Sequence, residues 1–355
     1  MHKKLFIPGP TEVMDEILNA MSVPMMGHRS KEFAALMEEV VPKIQKLFYT
    51  ENFIILSTSS GTGLMEAASR NVVKKKALHT ICGAFSKRWA QISKANGKEI
   101  DVIEVPFGKA IPPEEIDKKL KTGEFDTVFV THNETSTGVM HNLEEMADVI
   151  KKYPDVVWCI DAVSSAGGIK IEVDKLGIDV LVTSTQKAIA LPPGLAIGVV
   201  SEKALKRAEE VENRGYYFDF LTFKKYWDKR HQTPTTPSIS HIYALNVQMD
   251  RIFKEGLDNR FNRHIEMAKY VREWARKNFK LFPEEKYLSY TLTTVENTRG
   301  ISVAGLNEEL AKRGATISNG YGDLKEKTFR IAHMGDLTLD DMKWLLAQID
   351  DILGL

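Results

Sequence analysis

The chain has 355 residues, enough for one large or two ordinary domains, and its 43% hydrophobic and 27% charged content is that of a globular protein. Lysine plus arginine and aspartate plus glutamate both count 48, so the formal net charge is zero, which argues against nucleic acid and against an anionic membrane as partners. No apolar run approaches the ~18 residues that a membrane span needs; the two cysteines, Cys82 and Cys159, lie in or beside apolar runs and read as reduced core thiols, not as a disulfide or a metal site.

From the N-terminus, Leu5-Phe6-Ile7 is too short an apolar stretch before Pro8 to read as a signal peptide, so the expected location is a reducing cytoplasm. Pro8-Gly9-Pro10-Thr11 predicts an extended arm, because X-Pro steps disfavour helix. After Ser30, Phe33, Leu36, Met37, Val40, Val41, Ile44 and Leu47 recur at three- and four-residue steps and predict a helix with one buried face, Pro42 being a candidate kink. Short apolar runs then alternate with helical segments. Phe53 to Leu56, Leu78 to Cys82, Val102 to Val105, Thr127 to Thr131, Val156 to Ile160, Val180 to Thr183 and Ala196 to Val200 read as strands; Leu64 to Val73 and Leu143 to Lys152 read as helices. Continuous apolar strands separated by helices imply an α/β fold with a mostly parallel sheet covered on both faces, whose site lies at the carboxyl ends of the strands. A long helical region over Ile242 to Phe279 leads into a smaller α+β part, with strands near Tyr290 to Val295 and Thr328 to His333, a helix near Gly305 to Arg313, and a last helix capped by Thr338 with Asp341. The expected division is an arm at 1–20, a large domain at 21–245 and a small domain at 246–355.

Polar clusters follow the strands. Ser59-Ser60-Gly61-Thr62-Gly63 opens a helix and could cradle a phosphate, or be an ordinary capped loop; it has no lysine in P-loop position. Phe85 follows the next strand and could stack on a flat ring or lie in the core. His132-Asn133-Glu134-Thr135-Ser136-Thr137-Gly138 needs partners for its polar groups, and His132 reads as a structural hydrogen-bonder. Asp161 ends the apolar run Val157-Trp158-Cys159-Ile160, where a carboxylate is costly unless it meets a cation or caps a helix. Lys187 follows the Val180 strand and precedes an uncharged stretch; a low-dielectric setting lowers a lysine's pKa and prepares it as a nucleophile and base. A lysine and an aspartate so placed suit pyridoxal 5'-phosphate, the lysine for a Schiff base and the aspartate for the pyridinium nitrogen. Arg330, inside an apolar strand, is either a carboxylate clamp or half of a structural ion pair.

Taken in order with Gly27-His28-Arg29-Ser30 and Phe329 to Gly335, these motifs resemble the class V, fold-type I pyridoxal-phosphate aminotransferases over nearly the whole chain, nearest to the alanine–glyoxylate, serine–pyruvate and serine–glyoxylate group. The resemblance implies a seven-stranded sheet and a ping-pong transamination between a small amino acid (alanine or serine) and a 2-oxo acid (glyoxylate or pyruvate). It implies that Lys187 forms the Schiff base and shuttles the proton, and that Asp161 pairs with the ring nitrogen above Val163. Ser60, Gly61, Thr62 and Gln186 would hold the phosphate, Phe85 would stack where many relatives carry tryptophan, and Thr135 would meet the ring hydroxyl. Arg330, near Gly9, would grip the substrate carboxylate. A homodimer with shared sites is implied, Gln232 and Thr235 or Thr236 completing the neighbouring phosphate site. Arg29 is a second candidate substrate contact, which keeps phosphoserine, aminoethylphosphonate or aspartate as alternative donors. A cysteine desulfurase would need a mobile cysteine, a non-catalytic partner subunit would be expected to lack Lys187 or Asp161, and an NAD enzyme would need a G-x-G-x-x-G fingerprint that the chain lacks.

Overall fold

The apolar runs assemble into one sheet, in the spatial order Phe53–Ser57, Ala196–Val200, Val180–Ser184, Val157–Asp161, Thr127–Thr131, Lys76–Ile81 and Glu99–Glu104. Only Ala196–Val200 runs antiparallel to its two neighbours; the remaining pairs are parallel. The computed structural model describes residues 2–355. Every residue of the three central strands from Thr127, Val157 and Val180 is buried, because helices cover both faces and leave no polar side for an alternating pattern. Ile54, Leu56, Val128, Trp158 and Ile160 face a layer containing the helices Lys31–Leu47 and Ile239–Glu255. Ile55, Phe129, Val157, Cys159 and Val182 face the other layer, which contains the helix Gly61–Val72.

A second sheet has the order Lys4–Phe6, Ala315–Asn319, Thr328–Ala332, Leu292–Glu296 and Lys280–Leu281. Phe6, Ile317, Phe329 and Ile331 pack with the helices Leu257–Asn278, Val303–Lys312 and Leu339–Leu353 in a separate core. The N-terminal Lys4–Phe6 therefore pairs, in parallel, with a strand more than three hundred residues later, which carries the following Pro8–Thr11 segment across the junction. Ser30 caps the first long helix by accepting from Phe33 N, and that helix continues through Pro42. Thr338 and Asp341 make the reciprocal cap of the last helix. The long helical region expected over Ile242 to Phe279 consists of two helices, Ile239–Glu255 and Leu257–Asn278, broken at Gly256, whose φ of +87° is a left-handed value that glycine alone adopts freely. Among the described residues no helix is long and apolar enough to cross a membrane.

Candidate active site

Asp161 and Lys187 meet where adjacent strands end. Asp161 is the last residue of its strand, in register with Thr131 on one side and Val182 on the other, and Lys187 lies three residues beyond the strand Val180–Ser184. Asp161 is buried; one of its oxygens accepts Val163 N–H at 2.9 Å, and no arginine or lysine forms an ion pair with it among the described residues. Burial pushes its carboxyl up to about 7, with the Glu134 charge adding to the rise and Lys187 opposing it. Burial, followed by the charges of Arg330 and Arg88, brings Lys187 down to about 8. The Lys187 ammonium donates to the Pro8 carbonyl. A Cβ at Gly9 would lie 2.6 Å from Lys187 Cδ, so glycine is what allows the arm to pass over the lysine. Thr11 completes the seam: its N–H donates to the Gln186 carbonyl at 3.1 Å and its hydroxyl to the Lys187 carbonyl at 3.0 Å.

Ser60 sits at the N-cap of the helix Gly61–Val72, and its side chain makes no capping bond. The first amides of a helix have no intrahelical partner and carry the positive end of the dipole, so Gly61 and Thr62 present donors there. A Cβ at Gly61 would come within 2.7 Å of Val163 Cγ2 and 3.3 Å of Ser184 Oγ, which joins this helix end to the Asp161 loop. The buried Ser184 Oγ and Gln186 Oε1 have no hydrogen-bond partner among the described residues.

Thr135 Oγ1 lies 2.5 Å from Ser164 Oγ, and the Thr135 carbonyl accepts Arg330 NH1 at 3.1 Å. Arg330 also donates twice to the Asn319 carbonyl; it is buried, no carboxylate pairs with it among the described residues, and desolvation lowers it to about 10. Phe85 stands in the first turn of the helix Ala84–Ala95, its ring centroid 5.3 Å from that of Tyr321. Arg88 covers Phe85 at 4.8 Å and donates to Tyr321 Oη at 3.2 Å. His132 hydrogen-bonds Ser165 Oγ, and burial holds it neutral, with a pKa of about 3.

Arg29 lies elsewhere. Its guanidinium donates to the Thr233 and Pro234 carbonyls at 2.5 and 2.6 Å and rests on the Tyr226 ring, so its bonds are spent on a neighbouring loop and not on the Lys187 pocket. Gln232 donates to the Ser30 carbonyl, Thr236 meets His28, and the Thr235 carbonyl accepts Thr233 Oγ1. None of Gln232, Thr235 and Thr236 hydrogen-bonds Ser60, Gly61 or Thr62 within the chain. The sequence reading did not single out Glu134, Tyr321 or Arg88, which bear on these residues. Glu134 lay inside a cluster already singled out, whereas Tyr321 was signalled only by its flanking glycines.

The sequence profile of the family described as Aminotransferase class-V matches residues 10–322. The chain belongs to the class-V aminotransferases. It is 41% identical to an uncharacterised aminotransferase of Methanocaldococcus jannaschii over 94% of this chain and 88% of that protein. It is 33% identical to the serine–glyoxylate aminotransferase of Methylorubrum extorquens over 94% and 86%. The alanine–glyoxylate aminotransferase structure from Nostoc superposes with a TM-score of 0.93 at 28% identity, covering 99% of this chain and 96% of that one. This aminotransferase is accordingly a pyridoxal-phosphate-dependent transaminase whose substrates are an amino acid and a 2-oxo acid. Its residues fit the cofactor: among the described residues a buried carboxylate lacks a cation, the buried Ser184 Oγ beside a helix N-terminus lacks a partner, and a lysine of lowered pKa feels the charge of that carboxylate.

Proposed function

We propose that this aminotransferase moves the amino group of a small donor, alanine or serine, to glyoxylate or pyruvate, in two half-reactions at one site. The observation that carries the reading is Arg330, a buried guanidinium held by two backbone carbonyls, with no carboxylate partner among the described residues. Such a group calls for an anion, and a planar fork suits a carboxylate. Pyridoxal phosphate, when bound, supplies an aldehyde to hold the amino group and a ring that withdraws electrons from Cα. Lys187 Nζ then takes the proton from the substrate Cα, and its lowered pKa leaves a useful fraction of free amine near neutral pH. Asp161 holds the proton on the ring nitrogen, and Val163 supports the ring face. Ser60, Gly61, Thr62 and Gln186 donate to the phosphate, Phe85 stacks, and Thr135 meets the ring hydroxyl. Gly9 lies against Lys187, near the substrate carboxylate. Arg29 donates to the Thr233 and Pro234 carbonyls in its own chain, and phosphoserine and aminophosphonate donors are separated from alanine and serine by the mixing experiment below. Both cysteines are buried with thiols pushed up in pKa, which weighs against a desulfurase.

A second reading rests on Arg88. It bears on Lys187 electrostatically and has no carboxylate partner among the described residues, so it could receive an acidic donor side chain such as that of aspartate. Rapid mixing of the cofactor-loaded enzyme with single amino acids, following the visible absorption, tests both readings. The expected result is fast loss with alanine or serine. Loss with aspartate that Arg88→Leu abolishes, while the alanine reaction persists, would favour the second reading. Loss only with phosphoserine or an aminophosphonate would overturn both. Lys187→Ala is expected to abolish the absorption and the turnover together, and normal turnover in that variant would end the assignment.

A further inference from the structure

We infer that Glu134 is a positioning residue that fastens the two proposed ring contacts, Phe85 and Thr135, into one frame. The inference rests on the cofactor reading above. Glu134 is fully buried and forms no ion pair among the described residues. Its carboxylate is satisfied by donors from two different elements. Oε2 accepts Phe85 N–H at 3.1 Å, Ser86 N–H at 2.9 Å and Ser86 Oγ at 2.9 Å. Oε1 accepts Ser136 N–H at 3.1 Å and Ser136 Oγ at 2.7 Å.

The first set belongs to the opening turn of the helix Ala84–Ala95, where amides lack intrahelical partners and the dipole favours negative charge. Helices are ordinarily capped by a side chain at the N-cap position itself. Here that position is Gly83, which has none, and a Cβ there would lie 2.5 Å from Glu134 Cδ and 2.6 Å from Ser136 Oγ. The cap is thus delivered from the loop that carries Thr135, and glycine makes room for it. Ser136 Oγ adds a second tie by accepting Ala84 N–H at 3.0 Å. On one side of the carboxylate stands Phe85; on the other, Thr135 meets Ser164 through its hydroxyl and Arg330 through its carbonyl. A shift of Glu134 therefore moves the stacking ring relative to the hydroxyl contact and the carboxylate clamp. The same charge lies close enough to Asp161 to favour its protonated form.

The test is Glu134→Gln. The amide keeps the shape but turns an –NH2 toward backbone donors and removes the charge from the bonds that remain. Titration of the cofactor-free protein with pyridoxal phosphate is expected to show roughly tenfold weaker binding, the loss that one or two charge-assisted bonds imply. The visible circular dichroism of the bound cofactor is expected to change, because the ring is held at a different angle. Wild-type affinity and dichroism in the variant would overturn the inference. So would a fall in melting temperature that is equal with and without cofactor and leaves the dichroism intact, since that marks a purely structural cap. Ser136→Ala removes one donor and covers the case in which Glu134→Gln does not fold; it is expected to shift affinity and dichroism in the same direction, and no shift would overturn the inference. Parent enzyme that shows no visible absorption with pyridoxal phosphate would overturn the cofactor reading and with it this one, whereas a normal parent with an unaltered variant overturns this one alone.

Discussion

Asp161 and Lys187 sit in protonation states that their burial opposes, and this gives the cofactor-free protein a distinctive pH dependence. Folded Asp161 titrates at about 7 against an ordinary 3.8. The folded state therefore binds its proton more tightly than the unfolded state, and stability due to this residue falls as pH rises between those two values. Lys187 works oppositely: its folded value of about 8 lies below 10.5, so the cost of burying its charge is present below pH 8 and is relieved as pH rises toward 10.5. Cofactor-free Asp161→Asn is accordingly expected to be more stable than the cofactor-free parent just above neutral pH, by roughly 1–4 kcal/mol. The difference should shrink as pH falls from 7 toward 3.8, where the parent's folded carboxyl is neutral and its unfolded carboxyl becomes half protonated. Urea unfolding across that range measures it, and a gap that does not vary with pH would refute the account. A buried carboxylate that destabilises the empty fold is what a site tuned for a cationic ring nitrogen requires.

At the scale of elements, the loops bearing these residues are tied to one another by a side chain that sequence reading overlooked. Arg260, on the helix Leu257–Asn278, is 1% exposed. Its Nε donates to the Gly167 carbonyl at 2.8 Å and its NH2 to the Ala188 carbonyl at 2.6 Å, while NH1 bonds Glu255 and Asp336. It thus joins the loop after Asp161, the residue after Lys187 and the turn after Arg330. Arg260→Met would leave Glu255 paired with Arg263, and Asp336 with Arg251 and Gln248, but would deprive the Gly167 and Ala188 carbonyls of their donor; it is expected to cost roughly 1–3 kcal/mol, read by chemical denaturation. Arg260→Lys would keep charge but lose the fork and is expected to recover only part of that. Near-parental stability in Arg260→Met would refute the role of Arg260 in holding these loops together. The same comparison shows what a sequence can disclose. Asp161 stands out because it ends an apolar strand and Lys187 because it is the lone charge between a strand and an uncharged stretch, both local anomalies, and the strands themselves are local apolar runs. Arg260 stands among polar helical neighbours, and its meaning lies in carbonyls at Gly167 and Ala188 that only tertiary packing brings near. The edge strand Lys4–Phe6 escaped for the same reason, since its pairing residues begin at Ala315. Arg29 is of the same kind: the sequence leaves its partner open, and the two carbonyls it meets, at Thr233 and Pro234, are about two hundred residues away.

For the whole molecule, the segment Gln232–Pro237 poses the question of subunit number. Arg29 and Gln232 fasten it to the Gly27–Ser30 turn, while Thr236 is exposed. Met25, two residues before that turn, is 66% exposed, an apolar side chain that a partner surface would cover. We propose that a second copy covers this surface and receives Thr235 or Thr236 at its phosphate site. The decisive measurement mixes two defective subunits. Lys187→Ala lacks the proton-transferring amine but keeps a normal segment; the double change Thr235→Val and Thr236→Val keeps Lys187 but lacks the donors. In a shared-site dimer each parent variant is impaired alone. A hybrid, however, contains one site that combines Lys187 from one subunit with both threonines from the other. Co-expression of the two variants with different tags, followed by tandem purification of the hybrid, should restore turnover well above either parent, with the cofactor affinity of that one site returned to normal. If each site were built from a single chain, the hybrid would hold one dead site and one weakened site, and its activity would be no more than the average of the two parents.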